Sequence, residues 1–165
     1  MAQTSPAKVK VTEINQVAIV VRDLQKSMEY YWNTLGIGPW DIYTFQAPLV
    51  TDMTYHGKPA QYKMKLALTI VGSVMLELIE PLEGDNIYSD FLKEHGEGLH
   101  HLGFFVKNMD ETVQTLEKEG FPCLQSGHFA GGGYGYLDTV NALKAIWEPI
   151  QMPEVMPPPE ARWPE

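Results

Sequence analysis

Four side chains have the types and spacing to hold a metal ion and move a proton: Gln16, Glu77, His101 and Glu148. Glu77 sits in Met75-Leu76-Glu77-Leu78-Ile79 and Glu148 in Ile146-Trp147-Glu148-Pro149, acidic groups inside otherwise apolar runs. A carboxylate buried there is costly unless it is paired or metal-bound. Two carboxylates, one imidazole and one amide suit a divalent ion such as Zn, Ni, Co, Mn or Fe, with positions left for water or substrate. Strand alternation would let either glutamate alone point outward. All four at matching places in a repeat argues for a shared site.

The repeat is legible in the chain. Asn15 to Leu24 aligns with His100 to Met109, and each stretch leads into a helical pattern closed by glycine, Gly36 and Gly120. The separations are 85 residues for Gln16 and His101 and 84 for the two glycines. Such self-similarity marks a duplicated unit. In the first half, residues 13–21 read as a strand. Asp23 is a cap for a helix carrying Leu24, Met28, Tyr31 and Leu35 on one face. Strands follow at 39–45, 61–71 and 74–80, the last two joined by a Gly72-Ser73 turn. Residues 46–60, with Pro48, Gly57 and Pro59, read as a long loop or lid. Residues 81–85 link to a short helix over 86–95. In the second half, a strand at 99–106 precedes a helix capped by Asn108 with Glu111 three residues on. Strands follow at 122–125, 134–138 and 142–149. Each half is strand–helix–strand–strand–strand, an α+β pattern whose two sheets bury their apolar faces by packing together or curling into a cup.

The domain organisation that follows is an arm over 1–12, one domain over 13–150 with modules at 13–82 and 98–150, and a Pro-rich tail over 151–165. Trp163 is placed to pin that tail to the body or to a second subunit. Length (165 residues) and a 44% hydrophobic content fit such a domain. A net charge of −9 disfavours nucleic acid and anionic lipid as partners. The lone Cys123 allows no internal disulfide, which fits a reducing compartment. With no signal-peptide pattern and no apolar run near the ~20 residues of a membrane helix, the expectation is a cytoplasmic protein.

Other groups are weaker candidates. His100 precedes His101 on a strand, so simple alternation sends the two to opposite faces. That makes His100 structural, facing the helix layer or the module interface. Tyr55-His56 lies in the long loop. Tyr134 and Tyr136 would flank the mouth of the cup. His128 adjoins Gly131-Gly132-Gly133, which lacks the Lys-Ser/Thr and helix of a phosphate loop and reads as a mobile edge.

Over residues 13–150 this pattern resembles the vicinal-oxygen-chelate superfamily, which includes glyoxalase I, methylmalonyl-CoA epimerase, extradiol dioxygenases and antibiotic-resistance proteins. The resemblance implies two βαβββ modules in a cup, with one divalent metal on Gln16, Glu77, His101 and Glu148. It also makes Glu148 the catalytic base. The ligand set looks like that of zinc-type glyoxalase I. That enzyme carries an Arg and an Asn toward glutathione where this chain has Val20 and Pro81. The stretches Leu76–Leu82 and Phe91–His101 are closely similar to methylmalonyl-CoA epimerase, although Asp138–Lys144 replaces that enzyme's His-Pro-Lys-Ser-Thr-Gly-Gly run. The function implied is a metal-dependent isomerase, epimerase or lyase. It would abstract a proton beside the carbonyl of a small thioester or hemithioacetal, in a homodimer. An iron-dependent extradiol-type dioxygenase and a resistance-type binding protein are the alternatives.

Overall fold

The computed structural model describes residues 4–165; the first three residues of the expected arm lie outside it. The first module comprises β1 (Gln16–Val20), α1 (Leu24–Leu35), β2 (Trp40–Phe45), β3 (Val50–Tyr55), β4 (Lys58–Pro59), β5 (Lys63–Val71) and β6 (Val74–Glu83). Helix α2 (Ile87–His95) leads to the second: β7 (Gly98–Phe105), α3 (Met109–Lys118), β8 (Cys123–Phe129), β9 (Gly132–Leu137), α4 (Val140–Leu143) and β10 (Ile146–Gln151), followed by β11 (Ala161–Trp163). Among the described residues the strands form one sheet, ordered β11-β2-β5-β6-β1-β7-β10-β9-β8-β3-β4. The modules meet at its centre, where β1 pairs antiparallel with β7. No helix among the described residues is long and apolar enough to cross a membrane.

The helix caps follow the sequence. The Asp23 carboxylate accepts from the Lys26 amide, and Gly36 closes α1 at φ +66. Asn86 and Asn108 cap α2 and α3, accepting from the amides of Ser89 and Glu111. Helix α1 buries Leu24 and Met28 against Ala67 and Leu78. Helix α3 buries Met109 and Val113 against Leu137. The opposite face of the sheet gathers Ala18, Val20, Phe45, Met64, Ile79, Phe129 and four tyrosines around Ile87 and Tyr88 of α2. That face is the concave one, and α2 packs on it against β6, β1 and β7.

Residues 46–60 are not a loop. Strand β3 leaves β2 after four residues and pairs with β8 of the other module, with a register shift between Thr51 and Thr54. The shift coincides with Asp52, held at φ +50. The glycine run is not a mobile edge either. Gly131 makes the β8–β9 turn at φ +83, while Gly132 and Gly133 are buried in β9. A Cβ on Gly132 would collide with the Gln151 carbonyl, so packing demands glycine there. The strand expected at 142–149 begins later, at Ile146, after the short helix α4. The tail doubles back as β11 on the edge of β2, where the Trp163 ring meets Trp32 edge-on at 6.4 Å.

Candidate functional site

Parallel pairing of β1 with β6 sets Gln16 opposite Met75, two residues before Glu77. Parallel pairing of β7 with β10 sets His101 opposite Ile146, two residues before Glu148. The repeat therefore holds to the residue, and all four side chains come to the middle of the concave face. All are buried: Gln16 is 5% exposed, Glu77 5%, His101 1% and Glu148 3%. His101 Nε2 stands 2.9 Å from Glu148 Oε2 and 3.6 Å from Glu77 Oε2. The shorter contact is close in distance but lacks hydrogen-bond alignment. Gln16 Oε1, His101 Nε2 and Glu148 Oε2 are all buried without a hydrogen-bond partner.

Gly103 makes the room. It lies opposite Gln16 on β1 and opposite Glu148 on β10. A Cβ there would stand 2.8 Å from Gln16 Oε1 and 2.7 Å from Ile150 Cδ1. Phe45, Met64, Leu66, Phe129 and Tyr136 close the small cavity that Gln16 and Glu148 share.

Burial alone would push the His101 imidazole down, but the Glu148 and Glu77 carboxylates outweigh it and raise it to about 9. Burial also raises Glu77, against the pull of His101. Metal-free, the centre is thus an imidazolium between carboxylates. Glu77, His101 and Glu148 do not by themselves form a finished metal cage. The donor set nevertheless fits one. Atoms bound to one cation at about 2.1 Å stand roughly 3.0–3.4 Å apart, close to the two separations observed. Three unpartnered polar atoms in a dry pocket are what a missing cation leaves behind.

His100 does not turn away from His101. The pairing of β1 with β7 slips between Ala18 and Ile19, which meet His101 and Leu99, so His100 is the extra residue of a bulge. The two Nδ1 atoms lie 2.8 Å apart. Phe91 and Tyr88 of α2 flank the His100 ring at 5.1 and 5.3 Å. The expected α2-side location holds, whereas the expected separation from His101 does not. His100 is the group that orients the His101 ring, a role no periodicity could reveal.

The tyrosines close the cup rather than flank its mouth. Tyr62 and Tyr134 share a hydrogen bond of 2.9 Å, and Tyr88 donates to Tyr136 at 2.7 Å. Burial pushes all four hydroxyls up, so they stay neutral. Glu80 faces away from Glu77 and accepts from the Leu24 amide at the start of α1. His56 forms the β3–β4 turn at φ +48, and the neighbouring Tyr55 donates to Asp90 of α2 at 2.6 Å. His128 pairs with Asp110 at 3.1 Å on the outer surface.

The chain is 29% identical over 111 residues to mouse mitochondrial methylmalonyl-CoA epimerase, an alignment covering 67% of this chain and 54% of that protein. It therefore spans about half the length of that mammalian relative. It is 27% identical over 126 residues to an ethylmalonyl-CoA/methylmalonyl-CoA epimerase of Cereibacter sphaeroides, covering 76% of this chain and 84% of that one. Methylmalonyl-CoA epimerase from Mycobacterium tuberculosis superposes with a TM-score of 0.59 at 18% identity, over 92% of this chain and 94% of that one. At that identity the match speaks for the fold. Residues 15–137 match a family profile, and by that match the chain belongs to the Glyoxalase/Bleomycin resistance protein/Dioxygenase superfamily.

Proposed function

We propose that this protein is an epimerase-type isomerase that removes and returns the proton beside a thioester carbonyl, with one divalent metal held by Gln16, Glu77, His101 and Glu148. The observation that carries the reading is the convergence of four repeat-equivalent side chains, three of them ending in buried atoms without partners. Sequence likeness to acyl-CoA epimerases supports the substrate class.

A metal bound there would polarise the substrate carbonyl and stabilise developing negative charge by several kcal/mol. Glu148 acts as the base: its carboxylate takes the α-proton, becomes the acid and gives the proton back. Glu77 stays a ligand. Gln16 supplies a neutral oxygen, so the centre carries less negative charge than a third carboxylate would give it. His101, with Nδ1 fixed by His100, keeps Nε2 aimed at the carboxylates. The surrounding aromatic and methionine side chains exclude water, which strengthens each of these interactions.

The test is metal analysis of purified protein, followed by exchange of the α-hydrogen of methylmalonyl-CoA in deuterated water. Stoichiometric metal with exchange supports the proposal. Metal with turnover of a 2-oxo hemithioacetal and no thioester exchange would point instead to the glyoxalase-type lyase that the ligand set resembles.

A further inference from the structure

Beside the proposed metal centre, on the far side of the histidine pair, lies a cleft of about 450 Å³ that the chemistry above does not use. That is large enough for a small ligand. Its walls are mostly apolar: Ile87 and Phe91 from α2, Leu99 from β7, Leu124, Val140 and Ile146. Leu99 and Val140 are 59% and 46% exposed, unusual for large apolar groups beside a pocket unless something covers them.

At its inner end is His100, 5% exposed, whose Nε2 is buried and has no hydrogen-bond partner. The Ile87 carbonyl lies near enough to act on the ring, yet does not reach it in hydrogen-bond geometry. The proton on this atom can be assigned from its neighbours. His101 Nε2 faces two carboxylates, so a cation, whether metal or proton, occupies that nitrogen. In either state His101 Nδ1 keeps its hydrogen and donates to His100 Nδ1. A neutral His100 that accepts at Nδ1 must carry its own hydrogen on Nε2. The cleft thus ends in a desolvated N–H donor with nothing to receive it.

The rim indicates the acceptor. Asp90 and Glu94 line the α2 wall, against Lys144 across the cleft, whose ammonium already donates to the Asn141 carbonyl at 2.7 Å. Two carboxylates on one wall disfavour an anionic oxygen, so the acceptor is a neutral carbonyl on an apolar chain.

We infer that the cleft between α2 and the start of β10 is the acyl-binding site of this protein, with His100 Nε2 donating to the carbonyl oxygen of an elongated, uncharged thioester or related acyl compound. The inference deepens the proposed function by naming the site that takes the substrate, and rests on that reading only for calling the ligand a substrate.

The probe is S-butyryl-N-acetylcysteamine, titrated calorimetrically into metal-stripped protein, so that binding is read apart from the metal and from proton exchange. The wild-type chain should bind it more tightly than hexanoate. His100→Phe keeps an aromatic ring but removes the donor, and should weaken binding at least tenfold. Val140→Glu alters an exposed wall residue without touching the core and should do the same, which covers the case of a His100 variant that fails to fold. In ¹⁵N spectra the His100 Nε2 resonance should shift on binding. No binding to wild type, unchanged affinity in Val140→Glu, or preference for hexanoate would overturn the inference. Thioester binding without α-hydrogen exchange would leave it standing while refuting the proposed function.

Discussion

Gly103 lies directly across from Gln16, and any β-carbon at that position would stand 2.8 Å from the Gln16 amide oxygen. The strand keeps a side-chain-free residue between Gln16 and Glu148, so the vacancy belongs to the site. Gly103→Ala should leave the fold in place, because its backbone needs no positive φ, but should displace Gln16. Metal affinity should fall by roughly 10–100-fold, the range typical of disturbed ligand positioning. Titration with Co²⁺ followed by visible absorption checks this, and wild-type affinity would show that Gln16 is not a ligand.

Glu148→Gln separates ligand from base. The amide keeps an oxygen donor but cannot take a proton, so exchange of the substrate α-hydrogen should drop by at least ~10² with metal restored. Glu77→Gln should instead act mainly on metal affinity. Wild-type exchange in Glu148→Gln would place the base elsewhere. His56 would be next in line, since the Glu80 carboxylate is committed to the start of α1.

The histidine pair gives a graded expectation. His101→Ala should abolish metal binding, and His100→Ala should weaken it about 10–100-fold, because His100 fixes the His101 ring through the 2.8 Å Nδ1 contact. Dialysis equilibrium with Zn²⁺ distinguishes the two. Identical affinities in His100→Ala and wild type would mean that the contact does not orient the ligand.

Tyr55 ties the β3–β4 hairpin to α2. Its hydrogen bond to Asp90, aided by partial desolvation and the Asp90 charge, lifts the hydroxyl to about 12. A raised value means the stabilisation is fully present below the unfolded value near 10 and is lost as pH climbs through about 12. Tyr55→Phe should cost about 0.5–1 kcal/mol in urea unfolding at neutral pH, the low end for a partly exposed bond. The variant should match wild type above pH 12, and a constant gap across the range would refute the assignment.

Cys123 should be inert. Burial, with Glu117 nearby, raises its thiol to about 11, so at pH 8 almost none is thiolate. Labelling by a disulfide reagent should be on the order of 10²-fold slower in the native protein than in urea. Fast native labelling would contradict that environment.

The sequence exposed the site through its duplication. Ligand-capable residues two positions past a shared register point can be found by aligning the halves, and helix caps at Asp23, Asn86 and Asn108 are local chemistry. Two kinds of feature were not legible. Strand β3 has no clean alternation, since Asp52 breaks it, and its partner β8 lies about 75 residues away in the other module. His100 reads as an alternating strand residue until β1 forces a bulge upon it. Both depend on contacts distant in sequence, which local propensity does not encode.

The placing of β4 and β11 at the two ends of the sheet bears on how copies of this protein meet. Each end is a very short strand, Lys58–Pro59 on one side and Ala161–Trp163, followed by Pro164, on the other. Proline removes a ladder donor, and Lys58 and Arg162 place charge along the open backbone. A broad sheet would otherwise offer two templates for a foreign strand. Here the borders are blunted, so association between copies must go through faces and side chains rather than by extending the ladder.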